Sequence, residues 1–292
     1  MIKKFICKAF LFLDRKDIIR INDKLYLKMM YWIRLNKKLN LNNPKGFNEK
    51  LQWLKLYDRQ KKYTKMVDKY EVKKYISSKI GEEYIIPTIG IYENFDEINF
   101  DELPSKFVMK CTHDSGGIVI CKDKKNFDIK SAKTKINRCL KTNYYYPGRE
   151  WPYKNVQPRI IIEEYMEDKK TKELRDYKFF CFNGKMKFFK IDFNRLTYHQ
   201  ANYYNKNGIL LKFGEKVCPP DYEKKLEMPI NLKKMIKLAE TLSKNIPFLR
   251  VDFYEINGDI YFGELTFFPA SGFGKFVPED WDEKLGDYII IN

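Results

Sequence analysis

The residues best suited to chemistry stand where apolar runs come to an end. Arg250-Val251-Asp252 lies in one such run, and Glu264-Leu265-Thr266 follows, with Glu264 twelve residues after Asp252 across an Asn257-Gly258 turn. Strand alternation puts Arg250 and Asp252 on one face, and a two-residue hairpin returns Glu264 beside them. Two carboxylates on one face repel unless a cation sits between them, and an oxygen-ligated Mg2+ is the natural resident. A second stretch has Lys110 closing an apolar strand, followed by His113-Asp114-Ser115-Gly116-Gly117. A lysine beside a glycine turn whose N–H groups can approach a phosphate is a workable triphosphate clamp, although a glycine pair in a hairpin is also simply a turn. In a third, Ile160-Ile161-Ile162 runs out into Glu163-Glu164-Tyr165-Met166. The backbone of such a linker can pair with an adenine edge while apolar side chains sandwich the ring; a strand reaching the surface reads the same way. Asp68-Lys69, ahead of Gly81 and Ile86-Pro87, is by itself a surface charge pair.

The elements that must position these groups follow from pattern. Apolar residues at Ile21, Leu25, Tyr26, Met29, Trp32 and Ile33 recur at three and four, which predicts a basic amphipathic helix or helix pair over 18–39. Further helices are expected at 47–57, 63–79, 129–141 and around Leu232–Leu242. Strands are expected at 106–110, 118–121, 159–166, 175–182, 185–191, 250–256 and 259–267, with Asn183-Gly184 and Asn257-Gly258 as type I′ hairpin turns. Residues 143–153, rich in Tyr, Pro and Gly, read as a mobile flap or binding loop. The class is α+β, antiparallel hairpins with helices packed over them.

Composition narrows the function. With 44% hydrophobic and 16% aromatic residues, the 292-residue chain is not disordered as a whole. His113 and His199 are the only histidines, so a His-rich metal centre is excluded and any Ser-His-Asp or Cys-His mechanism would have to use one of them. The six cysteines form no CxxC pair, which points to a reducing, cytoplasmic compartment. The apolar stretch Phe5 to Leu13 is interrupted by Lys8 and lacks a cleavage site, so it does not read as a signal peptide. The net charge of +17 is concentrated at the front, where residues 1–74 hold 21 Lys/Arg against 7 Asp/Glu. That asymmetry suits an anionic membrane or acidic polymer; a merely solvated basic face looks the same. Nucleic acid is set aside, since no nucleic-acid-binding signature accompanies the charge.

In order and spacing these stretches resemble the ATP-grasp superfamily, and within it the TupA-like branch named for teichuronopeptide biosynthesis. Asn48-Glu49-Lys50, Phe107-Val108-Met109-Lys110, Ile162-Glu163-Glu164-Tyr165, Asp176-Tyr177-Lys178 and Glu264-Leu265-Thr266-Phe267 carry the resemblance, with Pro269 and Gly272. It implies an ATP-grasp fold, in which antiparallel sheets with packed helices form two nucleotide-sandwiching subdomains. The division implied is a basic helical region over 1–62, then an ATP-grasp domain over 63–292 with a lid over about 105–165 and a metal-binding part over 166–292. ATP and Mg2+ would be bound. Lys69 and Lys110 would hold phosphates, Ser115, Gly116 and Gly117 would form the lid, and Glu163, Glu164, Tyr165 and Met166 the adenine hinge. Lys178 would contact the nucleotide or acyl group, Arg250 would stabilise an oxyanion, and Asp252 and Glu264 would bind metal. Many ATP-grasp enzymes present Asn two residues after the Glu; this chain has Thr266, a weaker ligand. Either Glu167 or Asp168 would take the ribose.

The activity so implied is a carboxylate–amine ligase that activates the acid as an acylphosphate. The acid would be a uronic acid of a cell-surface glycan, of capsule or teichuronic type, and the enzyme cytoplasmic, with or without peripheral contact at the inner face of the membrane. The alternative is a glycosyltransferase of the same pathway, whose metal motif would have to be Asp280-Trp281-Asp282.

Overall fold

The computed structural model describes every residue except 1, 16–17, 170–173, 195–196 and 292, and only the backbone of 2–5 and 15. Five helices come first: α1 Ile2–Arg15, α2 Asp23–Leu35, α3 Phe47–Tyr57, α4 Lys62–Val67 and α5 Glu71–Ile80. The stretch expected as one helix over 63–79 is thus two. Asp68 makes the break, its Oδ1 accepting the Tyr70 and Glu71 N–H groups at 2.8 and 3.2 Å. The helix expected over 18–39 is shorter, because Asn22 caps its start by accepting the Leu25 N–H and Asn36 ends it in the left-handed region.

Next comes a four-stranded antiparallel sheet from β1 Thr88–Tyr92, β2 Phe107–Cys111, β3 Ile118–Cys121 and β4 Ile160–Glu164, in spatial order β1-β4-β2-β3. One face, with Phe107, Met109, Cys111 and Ile162, packs on Ala132 and Ile136 of α6 Ile129–Leu140. Alternation turns Lys110 and Glu163 to the other face.

The larger sheet contains β5 Asp176–Phe182, β6 Lys185–Phe193, β7 Gln200–Asn205, β8 Leu210–Leu211, β10 Phe248–Ile256 and β11 Asp259–Thr266, in order β11-β10-β5-β6-β7-β8. Both hairpin turns form as expected, with positive φ at Asn183, Gly184, Asn257 and Gly258. Phe179, Cys181, Leu249 and Val251 alternate onto one face, in one core with Met235, Ala239 and Leu242 of α8 Leu232–Leu242. The opposite face is aromatic at one end, where Phe180, Phe182, Phe188 and Phe248 cluster and Phe47 of α3 meets Phe182 and Phe248. At its other end it is charged. A two-stranded ladder of β9 Gly214–Glu215 and β12 Phe276–Val277 and the short α9 Trp281–Gly286 close the chain.

The N-terminal helices cover core. Tyr26, Leu27, Met30 and Tyr31 of α2 are buried with Leu11, Leu39 and Leu41 against Trp53, Leu56 and Phe273. Leu25, on the expected apolar stripe, is 49% exposed, so the buried seam lies one position along the helix. Phe47, Leu51 and Leu54 of α3 belong to the main core. The segment read as a flap is a packed wedge holding α7 Tyr145–Gly148. Its Arg149 is buried, with ion pairs to Asp14 at 2.6 Å and Asp23 at 3.2 Å, and stacks on Tyr26 at 3.9 Å. A buried guanidinium between two carboxylates and a ring fixes this segment, since moving it would leave charges unpaired.

Candidate active site

One row of directly opposed residues crosses the charged end of the large sheet: Glu264 on β11, Asp252 on β10, Lys178 on β5, Lys190 on β6 and Tyr203 on β7. The convergence of Asp252 and Glu264 expected from the Asn257-Gly258 turn is therefore a direct cross-strand pair. The cation between them is Arg250. Its Nε and Nη2 donate to Asp252 at 2.7 Å each, and Nη2 also donates to Glu264 at 2.6 Å. Lys178 adds a contact to Asp252 at 3.1 Å and pairs with Asp176 and, at 3.5 Å, with Asp192. Burial alone would raise the Asp252 carboxyl, but Arg250 and Lys178 outweigh it and hold the group below its ordinary value. Burial likewise pulls Lys178 down, while Asp252 and Asp176 carry it above the usual lysine range. Thr266 stands opposite Arg250 in the ladder and donates its hydroxyl to Glu264 at 3.1 Å.

Lys178, Lys190, Arg250, Asp252 and Glu264 form one wall of a cavity of about 440 Å3, a size ordinary for a small-molecule site. The small sheet and α5 form the facing wall. There Glu163 is buried, and its two oxygens take Lys73 at 2.5 Å and Lys110 at 2.6 Å. Burial pushes this carboxyl up, yet the two ammonium groups hold it below the ordinary range. Lys69 donates to the Asp114 carbonyl in the loop between β2 and β3, and burial lowers its ammonium. That loop is built around Gly117, whose N–H donates to Asp114 at 3.0 Å and where a Cβ would sit 2.7 Å from Cys111 Sγ. A Cβ on Gly116 would meet nothing, so its backbone is open to a ligand.

The cavity thus gathers Lys69, Lys110, Ser115, Glu163, Lys178, Arg250, Asp252 and Glu264. Gly116, Gly117, Glu164, Tyr165, Met166 and Thr266 lie outside its lining. The Glu164 N–H is already spent on the Pro87 carbonyl at 3.1 Å, and Lys106 lies 5.5 Å above the Tyr165 ring. Asp168 accepts the Asn257 N–H at 2.8 Å, which ties the segment after β4 to the turn between β10 and β11. Sequence reasoning missed Lys73, Lys190, Asp192 and His199, which also line the cavity. Lys73 follows Lys69 by four residues, and Lys190 and Asp192 alternate along β6 after Asn183-Gly184; both spacings were available signals. His199 meets Asp192 at 3.1 Å. His113 is buried, with its Nε2 at 3.2 and 3.1 Å from the Cys139 and Thr142 carbonyls, a structural position.

The residues present suit Mg2+ in their donor chemistry. Two facing carboxylates with a hydroxyl beside them are the kind of set that holds this ion together with substrate phosphates, and the guanidinium now between them stands in for its charge. Among the described residues no group of three or more His, Cys, Asp or Glu is placed to hold a metal. Asp280-Trp281-Asp282 is structural: Asp282 accepts the Asn48 N–H at 3.0 Å and its side-chain amide at 2.7 Å, and Asp280 pairs with Lys284. The glycosyltransferase alternative loses its motif.

No curated protein matches the chain. Among solved structures, similarity is found to D-alanine–D-alanine ligase from Bacillus anthracis complexed with ATP, at 17% identity over 76% of this chain, with TM-score 0.39. Another is an ADP complex of N5-carboxyaminoimidazole ribonucleotide synthetase, at 15% identity over 85% of this chain, with TM-score 0.44. This chain spans 56% of the first protein's length and 58% of the second's. The family model for TupA-like ATP-grasp proteins matches residues 49–290, and the chain belongs to that family.

Proposed function

We propose that this chain is an ATP- and Mg2+-dependent ligase that activates a carboxylate as an acylphosphate for attack by an amine. The observation that carries this reading is the convergence of Arg250, Asp252, Glu264 and Lys178 on one wall of a cavity whose facing wall offers Lys69, Lys110 and Ser115. The apolar side chains of Met66, Val67, Ile86 and Leu265 give the cavity a surface for a base, and its lysines give one for phosphates. Lys69 and Lys110 hold the phosphate chain. Arg250 neutralises charge on the transferred group, and the loop at Ser115 to Gly117 shuts out water. When bound, Mg2+ supplies positive charge to the phosphate oxygens, held by Asp252 and Glu264 with Thr266 beside them. Glu163 to Met166 remain our assignment for the hinge. No protein nucleophile is required, in keeping with the lack of a histidine triad.

The acid we assign is a uronic acid of a glycan or its precursor, with the amine from an amino acid or amino alcohol. The direct test is a thermal-shift screen. ATP with Mg2+ is expected to raise the melting temperature, and UDP-sugars with Mg2+ or Mn2+ to leave it unchanged; the reverse pattern would replace the ligase by the glycosyltransferase.

We place the enzyme in the cytoplasm at the inner membrane face. Among the described residues no helix is long and apolar enough to cross a membrane. Helix α1 nevertheless leaves Ile6, Phe10 and Phe12 about half exposed beside Lys8. That pattern suits an interfacial helix. Because α2 is core, deletion of residues 1–43 would strip a buried cluster and unfold the chain. Phe10→Ser with Phe12→Ser is the cleaner probe, expected to reduce flotation with anionic vesicles while sparing the ATP·Mg2+ shift; undiminished flotation would remove the helix from the membrane.

A further inference from the structure

A second cavity, of about 520 Å3, is lined by residues distinct from those of the first. Tyr144 lines it and reaches through to the loop of the first cavity, its hydroxyl 3.1 Å from Ser115 Oγ. Its floor holds Glu150, which is buried, and Ser271, in a turn where Ala270 and Ser271 both have positive φ. Two successive non-glycine residues in that region are strained and need support. Lys55, fully buried, supplies it, donating to the Ser271 and Gly148 carbonyls at 2.8 and 2.7 Å. Burial raises the Glu150 carboxyl, while Lys55 and Ser271 oppose this.

The mouth of this cavity is basic. Arg34 of α2, Lys216 and Lys275 stand around it, all exposed. Lys216 and Lys275 are adjacent, the Lys216 N–H donating to the Lys275 carbonyl at 2.8 Å. Both also line a neighbouring groove of about 330 Å3, where Lys37 joins them. The exposed acid of that groove is Glu279, paired with Lys37 at 2.7 Å. Lys37 holds its carboxyl below the ordinary value, with Lys216 and Lys275 adding to the effect. None of this chemistry is used by the nucleotide cavity, and Arg34 and Lys37 precede the family-matched residues.

We propose that the groove and second cavity form one basic track that binds successive acidic sugars of a polyanionic glycan beside the nucleotide cavity. The inference rests on the ligase reading and names its acceptor as a polymer engaged over several residues. Cations spaced along a concave channel match carboxylates repeated along a flexible chain, whereas a flat bilayer cannot follow a channel down to Glu150 and Ser271. The Tyr144 and Phe273 rings in the lining offer faces to sugar rings, which a polyglutamate chain would leave unused.

The test is binding of a fluorescent oligogalacturonate to the full chain, beside a neutral oligosaccharide of equal length, polyglutamate, and phosphatidylglycerol vesicles. The oligouronate is expected to bind, and to weaken as salt is raised. Lys216→Glu with Lys275→Glu is expected to weaken it by about tenfold or more, the order expected for reversing two exposed charges. Glu279→Gln is expected to tighten it, because it removes an acid from the track. Both variants keep the parent's ATP·Mg2+ thermal shift. Unchanged oligouronate affinity in the double variant overturns the track, as does equal or better binding of the neutral sugar, polyglutamate or vesicles. Loss of the ATP·Mg2+ shift in the parent would instead overturn the ligase reading, and the two failures are read separately.

Discussion

On the proposed ligase reading, Arg250→Met is expected to lower turnover by about 10²- to 10³-fold, the usual loss when a preorganised group facing transition-state charge is removed. A second effect separates this role from a merely structural one. In the parent protein the guanidinium holds Asp252 and Glu264 together. Without it these carboxylates lose their shared cation, so the variant is less stable, and Mg2+ alone should restore more stability to it than to the parent. Melting curves with and without Mg2+ check this. An equal Mg2+ response in both proteins would mean that the ion does not enter between these carboxylates.

Lys110→Ala is expected to weaken ATP by roughly 1.5 to 3 kcal/mol, the range for a charge-assisted hydrogen bond, and to weaken AMP much less. In this structure Lys110 is paired with Glu163, so the substitution also removes one of two cations around a buried carboxylate. Lys73 remains to hold Glu163, which limits the structural cost. Calorimetric titration with ATP and AMP distinguishes the roles. Equal losses for both nucleotides would make Lys110 a scaffold for Glu163.

The β10–β11 hairpin was legible because its turn leaves little choice. Asn257-Gly258 demands positive φ twice and so joins the strands through two residues, and from that point alternation alone brings Glu264 back toward Asp252. The occupant between the carboxylates was not legible. Arg250 is two residues from Asp252 on the same strand face, yet whether a long side chain points at its neighbour or into a cavity is decided by what lies above it, which periodicity does not encode. The same limit hid Lys73 and Asp192, whose importance depends on a second sheet folding over the first. The mobility expected of segment 143–153 was misread for a different reason, although its Tyr153 does line the first cavity. Tyr, Pro and Gly favour loops, but Arg149 locks this one through Asp14 and Asp23, residues more than a hundred positions earlier. Helix α2 shows a milder form of the error: the stripe of apolar residues was visible, but the choice of which side to bury fell to Trp53, Leu56 and Phe273.

Asp252 and Glu264 are the pair we assign to hold Mg2+ for the bound nucleotide. The decisive measurement is the thermal shift produced by ATP with and without Mg2+ in the parent and in Asp252→Asn with Glu264→Gln, amide replacements that keep shape while removing charge. The parent is expected to show an additional Mg2+-dependent shift above that of ATP alone, and the double variant to show only the metal-independent part. A double variant that folds and retains the full Mg2+-dependent increment would contradict the site.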